Sequence, residues 1–308
     1  MIKNYQATLL FFTLLIFSVG AQEIKTFSTQ DFELKGKVKS CQIITDYGSE
    51  ILDFDVDGQL VKSTTSYSEQ DKDITYYRFK EGFLKEIRLE SYKDNTLDQS
   101  SSMAYIYSID TTETKKIVEQ VISYDKEFFE AQEYRYNKEG RLVKIISSHQ
   151  NAVDETVVEY TTFKDEETIT YIENGVLQNS IRTSYKKVSP TTKHKIVLSK
   201  NFVDGEPMEA NEKVYGPKGN LLAHQLFKFD GKEQQFKPIE KHTFVYDKED
   251  VLQKEVIIAG NVTSKKEYIF QFDNNTPKNW VKKICTPGND YTTRKITYYP
   301  EVIEKQVD

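Results

Sequence analysis

One short pattern returns along this chain and limits what it can fold into: aromatic, any residue, aromatic, Asp or Asn, two polar residues, Gly, any residue, Leu, then Lys. The cleanest copy runs from Tyr134 and Tyr136 through Asn137 and Gly140 to Leu142 and Lys144, and weaker copies begin at Leu52, Tyr77, Lys213, Phe244 and Ile269. Residues two apart on a strand share a face, so Tyr134 and Tyr136 define one side of a half-buried strand. Asn137 can open a turn through its side chain, Lys138 and Glu139 suit the middle of a type I turn, and Gly140 can take the left-handed conformation that closes a bulged loop. The chain then reverses into Leu142 and Val143. The same grammar recurs at Asp55, Asp57, Gly58 and Leu60, and at Gly216, Pro217, Gly219 and Leu221. Each copy therefore reads as a β-hairpin with its tip written in the sequence.

Tips counted this way fall at Gly58, Gly82, Gly140, Gly175, Gly219, Asp250 and Asn279, with a degenerate copy around Tyr105, Tyr107 and Asp110 filling the widest gap. A unit of roughly 25 to 35 residues is two strands with a tip and a return loop, within the range of repeat architectures. A single hairpin is not stable alone, so neighbours must pair into one antiparallel sheet. The expected fold class is all-β: consecutive β-hairpin repeats in a curved or spiralling single sheet, with its closure left open.

Between these copies the reading is coarser. Gln22 to Asp31 is polar, a leader or a short turn, and alternation from Leu34 to Ile43 marks the first strand, turned at Tyr47 and Gly48. Tyr92 to Ser102 reads as a polar loop. Thr111 to Ile122 has a helix-like apolar spacing, but its neighbours favour a strand. Thr156 to Tyr171 is rich in β-branched and aromatic residues, as strands are. Residues 186–192, with Ser189 and Pro190, are either a seam between two sheets or a long return loop, and the loop is preferred. A last strand runs from Thr293 to Tyr299.

Met1 to Ala21 holds one charge, Lys3, then an apolar run from Leu9 to Phe17, with Val19 and Ala21 placed as small residues before a cleavage site. This is the pattern of a signal peptide, so the chain is expected to be exported to the periplasm or beyond. The mature chain, 22–308, is expected to be one β-hairpin repeat domain with no membrane span. Without Lys3 it has 41 basic against 48 acidic residues, interspersed and with no basic stripe, which argues against nucleic acid as a partner. Charged residues make up 29 % of the chain, too many for a thick two-layer core, while 20 Tyr and 18 Phe can each cover a large area of a thin sheet.

The copies at Tyr134, Lys213, Phe244 and Ile269 resemble the tyrosine-aspartate (YD) repeats of the Rhs family. The opening from Leu34 to Ser40 and the closing hairpin at Asn279 and Trp280 resemble small exported repeat proteins of Gram-negative bacteria. The resemblance implies a spiralling hairpin sheet and, in large members, a shell around a toxic C-terminal domain. Pro300 lies close to the end of this sequence, so the shell role is not expected to carry over.

Candidate chemistry is sparse. Asp53, Asp55, Asp57 and Gly58 have the spacing of a calcium loop, but Thr64 stands where a bidentate Glu should be and the flanks are strands, so a plain hairpin tip is preferred. His149, His194, His224 and His242 have no metal-ligand or nucleophile spacing. Cys41 and Cys285 could form a disulfide joining the first strand to the last, or remain two separate thiols. Trp280, Tyr298 and Tyr299 could stack a sugar ring, or simply belong to the sheet's own apolar layer. No cofactor is implied and no catalytic set is evident. The expected function is a non-catalytic scaffold or protein-binding protein of the bacterial envelope. The alternative is a carbohydrate-binding module or weak glycan-acting enzyme, so the expected partner is an envelope protein or a glycan.

Overall fold

The computed structural model describes residues 24, 26–124, 127–149 and 152–300, so the leader expected at Met1 to Ala21 lies outside the described residues. Among the described residues the chain forms a short 3-10 turn, Thr29–Phe32, and twenty strands. They are β1 (Val38–Thr45), β2 (Gly48–Phe54), β3 (Leu60–Ser66), β4 (Lys72–Lys80), β5 (Phe83–Lys93), β6 (Thr96–Asp110) and β7 (Lys116–Ser123). Next come β8 (Phe128–Tyr136), β9 (Leu142–His149), β10 (Val153–Phe163), β11 (Glu166–Glu173), β12 (Val176–Lys187), β13 (Lys193–Val203) and β14 (Glu206–Tyr215). The last six are β15 (Leu221–Asp230), β16 (Gln235–Tyr246), β17 (Leu252–Ala259), β18 (Val262–Phe272), β19 (Trp280–Thr286) and β20 (Asp290–Tyr298).

Each strand pairs antiparallel with the next, and β20 pairs antiparallel with β1, so the sheet closes on itself. The all-β sheet of consecutive antiparallel hairpins is as expected, and the closure left open by the sequence is complete: the sheet is a closed up-and-down barrel. A spiral leaves two edges of unpaired backbone groups; here Cys41 faces Ile296 and Ile43 faces Arg294, and the first and last strands satisfy one another.

Connections from even to odd strands fall at one end, the tip end, together with the start of β1 and the end of β20. The other connections form the rim. The repeat pattern marks the tip end, and its parts have direct physical roles there. The Asp or Asn accepts two backbone N–H groups within its own turn. Asp55 Oδ1 takes those of Asp57 and Gln59 at 3.0 and 2.8 Å, Asn137 Oδ1 those of Glu139 and Arg141 at 3.1 and 2.9 Å, and Asp247 Oδ1 those of Glu249 and Val251 at 3.0 and 2.8 Å. Gly58, Gly140 and Gly219 have φ of 83°, 76° and 87°, and Asp250 takes the same place at 62°. A bulge then sets the last aromatic opposite the following Leu: Phe54 faces Leu60, Tyr136 faces Leu142, Tyr215 faces Leu221 and Tyr246 faces Leu252.

The regions of weak pattern depart from the sequence reading. Tyr92 to Ser102 is not a loop, because β5 and β6 turn over Asp94 and Asn95 alone, at φ of 50° and 60°. Gly175 turns the chain at the rim, opposite the end where it was counted, and the tip on that side is at Lys164 and Asp165. Residues 188–192 form the turn between β12 and β13 of the same sheet.

Side chains of Cys41, Leu52, Phe54, Leu60, Tyr107, Ile117 and Tyr134 lie on one face and are buried. The segment leading into β1 packs on this face, which is the one where side chains of a closed sheet converge, so it is the inner one. Twenty strands enclose more space than side chains can fill. Burial is accordingly local: one patch joins Leu84, Tyr107, Ile117, Tyr134 and Val158, another joins Leu34, Val38, Cys41, Leu52, Phe54 and Leu60. The outer face carries charge at mid-strand, at Arg88, Glu133, Glu159, Arg182, Lys241 and Glu267, each on the opposite parity from its inward neighbours.

Candidate functional site

The segment from Thr26 to Lys37 crosses the tip end of the barrel on its inner face. Phe27 meets Tyr77 edge-on with centroids 6.2 Å apart, and Phe32 meets Phe54 at 5.8 Å. Backbone bonds fix the segment to the first tip, from Thr29 N–H to Gly58 O at 2.9 Å and from Leu60 N–H to Phe27 O at 2.8 Å. The turn at Thr29–Phe32 is held by Asp31, whose carboxylate accepts from the Ser28 N–H at 2.8 Å and hydroxyl at 3.1 Å. On the far side Arg294 Nη2 donates to Phe32 O at 2.9 Å and Trp280 Nε1 donates to Glu33 Oε2 at 3.1 Å.

Above this segment a cavity of about 420 Å³ runs along the inner faces of β19, β20, β1, β2 and β3. Its apolar walls include Phe32, Ile43 and Trp280, and its charged side chains include Glu50, Lys283 and Arg294. Arg294 is 8 % exposed and its guanidinium lies 3.4 Å from the Trp280 ring centroid, while its Nε and Nη1 have no hydrogen-bond partner. Lys283 stands 5.4 Å from the same indole. Burial depresses the Lys283 and Arg294 pKa values and raises that of Glu50. In register, Arg294 faces Ile43 and Ile43 faces Glu50, so a cation, an aliphatic side chain and an acid form one row across three strands.

A second polar cluster occupies the inner face farther round. His242 lies between Glu255 and Glu240, its ring nitrogens 2.6 Å from each carboxylate. Burial pulls its pKa down, but the bonds to Glu240 and Glu255 outweigh this and raise it. Glu255 also accepts from Tyr268 at 2.7 Å, and its carboxyl pKa is lowered overall, because these bonds overcome the effect of burial. His224 is 6.1 Å from His242 with a pKa lowered by burial and by the neighbouring Lys213 and His242. His149 pairs instead with Glu130 at 3.3 Å.

The residues singled out in the sequence fall as follows. Trp280 lines the cavity, 8 % exposed, with one face under Arg294. Tyr298 accepts from Asn279 Nδ2 at 2.8 Å and donates to Asp273, and Tyr299 donates to Phe54 O at 2.7 Å. The three rings thus serve the closure seam and do not form one open platform. Asp55 is committed to its own turn, and no three His, Cys, Asp or Glu side chains among the described residues converge as a metal site. Cys41 and Cys285 are both free thiols. They stand on either side of β20, opposite Ile296 and Asp290, which sets them about 20 Å apart along that strand. Burial pushes the Cys41 thiol up to about 11.

Glu50, Lys283 and Arg294 escaped the sequence reading. A signal existed: Glu50 shares its parity with Leu52 and Phe54, and Arg294 with Ile296 and Tyr298, so each is a charge on an apolar face. Their grouping, however, depends on β1 meeting β20.

Fold and site together define a closed, up-and-down antiparallel β-barrel with its leading segment folded across one end of the lumen. No protein-family description matches the chain, and no curated protein matches it. Among solved structures it is similar to a porin-like protein from Bacteroides vulgatus, at 11 % identity, 86 % of this chain, 99 % of that one and a TM-score of 0.24. It is also similar to the Tc holotoxin pore of Photorhabdus luminescens, at 8 % identity, 77 % of this chain, 18 % of that one and a TM-score of 0.18. No helix among the described residues is long and apolar enough to cross a membrane.

Proposed function

We propose that this is an exported, non-catalytic β-barrel of the cell envelope that stands clear of the bilayer and works by binding another protein. The observation that carries the reading is a set of exposed aromatic side chains at the rim: Tyr47, Tyr67, Tyr124, Phe128, Phe129 and Tyr291. Aromatic side chains grouped at an accessible edge are the usual anchors of protein interfaces. The outer wall supports the same reading. A lipid-facing barrel needs an apolar band, and a Lys or Arg at its midplane costs about 2–4 kcal/mol each. Arg88, Arg182 and Lys241 all point outward near mid-strand, as do Glu133, Glu159 and Glu267.

The test is a rim variant, Tyr47→Ser with Tyr67→Ser, Phe128→Ser and Phe129→Ser, compared with the unchanged protein in cross-linking from native envelopes. A protein cross-linked to the unchanged chain and lost with the variant, at equal melting temperature, is the expected result. Equal cross-linking by both proteins, or insertion of the purified chain into phosphatidylethanolamine vesicles on flotation, would overturn the proposal.

A further inference from the structure

The cavity over the leading segment has the build of a small-molecule site. Its volume, about 420 Å³, is within the range of ligand pockets, and its walls are mainly apolar with a few charged groups, as such sites are. The charged groups are unusual in being unspent. Arg294 is buried with two guanidinium nitrogens, Nε and Nη1, unpaired, and half-buried Glu50 has no hydrogen-bond or ion-pair partner among the described residues. Burial without a partner is costly for either charge, and their register holds them apart: Ile43 lies between them, so their Cα atoms are about 10 Å from each other across two strand spacings. No ion pair joins the two in this structure: Arg294 Nη2 is spent on Phe32 O and its other nitrogens are unpaired. The other acids lining the cavity are already engaged: Glu33 accepts from Trp280 and Asp31 from the Ser28 N–H and hydroxyl.

We propose that this cavity binds a small zwitterion of about dipeptide length, its carboxylate at Arg294 and Lys283, its ammonium at Glu50, and its apolar body along Ile43, Phe32 and Trp280. One ligand of that kind satisfies both charges at once, and neither a simple anion nor a simple cation does. A neutral sugar would leave both uncompensated. The site lies inside the lumen between the leading segment and the Gly48 turn and uses none of the rim aromatic side chains, so the inference does not rest on the protein-binding reading.

The experiment is calorimetric titration of the purified protein with alanyl-phenylalanine, its N-acetyl derivative and its C-terminal amide. The free dipeptide is expected to bind, with each blocked form at least tenfold weaker. Glu50→Gln should bring the free and N-acetylated forms to within twofold of each other, and Lys283→Met should do the same for the free and amidated forms, while neither variant melts below the parent. Absence of binding to all three probes at millimolar concentration, or equal binding of all three to the parent, overturns the proposal. Retained discrimination in both variants overturns it as well.

Discussion

Asn279 grips the backbone of Lys35 from both sides, its Oδ1 accepting the Lys35 N–H at 2.7 Å and its Nδ2 donating to the Lys35 carbonyl at 2.8 Å. At 1 % exposure this amide is fully inside, and it joins the leading segment to the last tip across nearly the whole sequence.

Asn279→Ala is therefore expected to remove both bonds to the Lys35 backbone and to destabilise the protein by about 1–3 kcal/mol. Urea unfolding measures this. A loss below about 0.5 kcal/mol would mean that the segment is held chiefly by its apolar contacts.

The tips offer a paired test. Asp250 occupies the left-handed position that glycine fills elsewhere, at φ 62°, so Asp250→Gly is expected to relieve strain and stabilise by up to about 1 kcal/mol. Gly140→Ala, at φ 76° with open space around it, should destabilise by about 1 kcal/mol. Gly58→Ala should cost more than Gly140→Ala, because the added carbon would sit 3.2 Å from Thr29 Oγ1 and press on the leading segment. Thermal melts of the three variants rank them.

Glu50 gives a pH signature. Burial raises its pKa in the folded state, so folding binds an extra proton between the ordinary carboxylate pKa and the raised value. The cost of the buried charge is absent at lower pH, grows through that window and is complete above it. Glu50→Gln should consequently raise the melting temperature at pH 7 and leave it almost unchanged at pH 3.5. Equal effects at both values would contradict the desolvation of Glu50.

His242 has the opposite sense of benefit. Its pKa is raised by Glu240 and Glu255 against the effect of burial, so the stability it adds is fully present below the ordinary histidine pKa and is lost as pH rises through the folded value. His242→Gln should lose more stability at pH 5.5 than at pH 9. An NMR titration of the imidazole would show a midpoint above the ordinary value, and a midpoint below it would refute the assignment.

The tips were legible because their chemistry is local. An Asp or Asn that caps its own turn, a glycine at positive φ and an aromatic facing a Leu across a bulge all act within about ten residues, so Asn137, Gly140 and Leu142 announce their hairpin from sequence alone. Where the turn used two residues with no glycine, as at Lys164 and Asp165, nothing marked it, and the count drifted to Gly175 at the other end. The loop assigned to Tyr92 to Ser102 failed for a related reason. Its polar residues satisfy one another on paired strands, as when Ser91 Oγ donates to Asp73 at 2.7 Å and Ser102 Oγ accepts from the Ser91 N–H at 3.1 Å.

The sequence by itself determined that the chain is a run of antiparallel hairpins, because strand alternation and turn chemistry are short-range. Closure was decided only in three dimensions, by how twist and curvature accumulated over twenty strands bring Cys41 opposite Ile296 and Ile43 opposite Arg294. The candidate site follows from that meeting. Glu50, Ile43 and Arg294 are distant in sequence and share a row only because the first strand completes its pairing with the last.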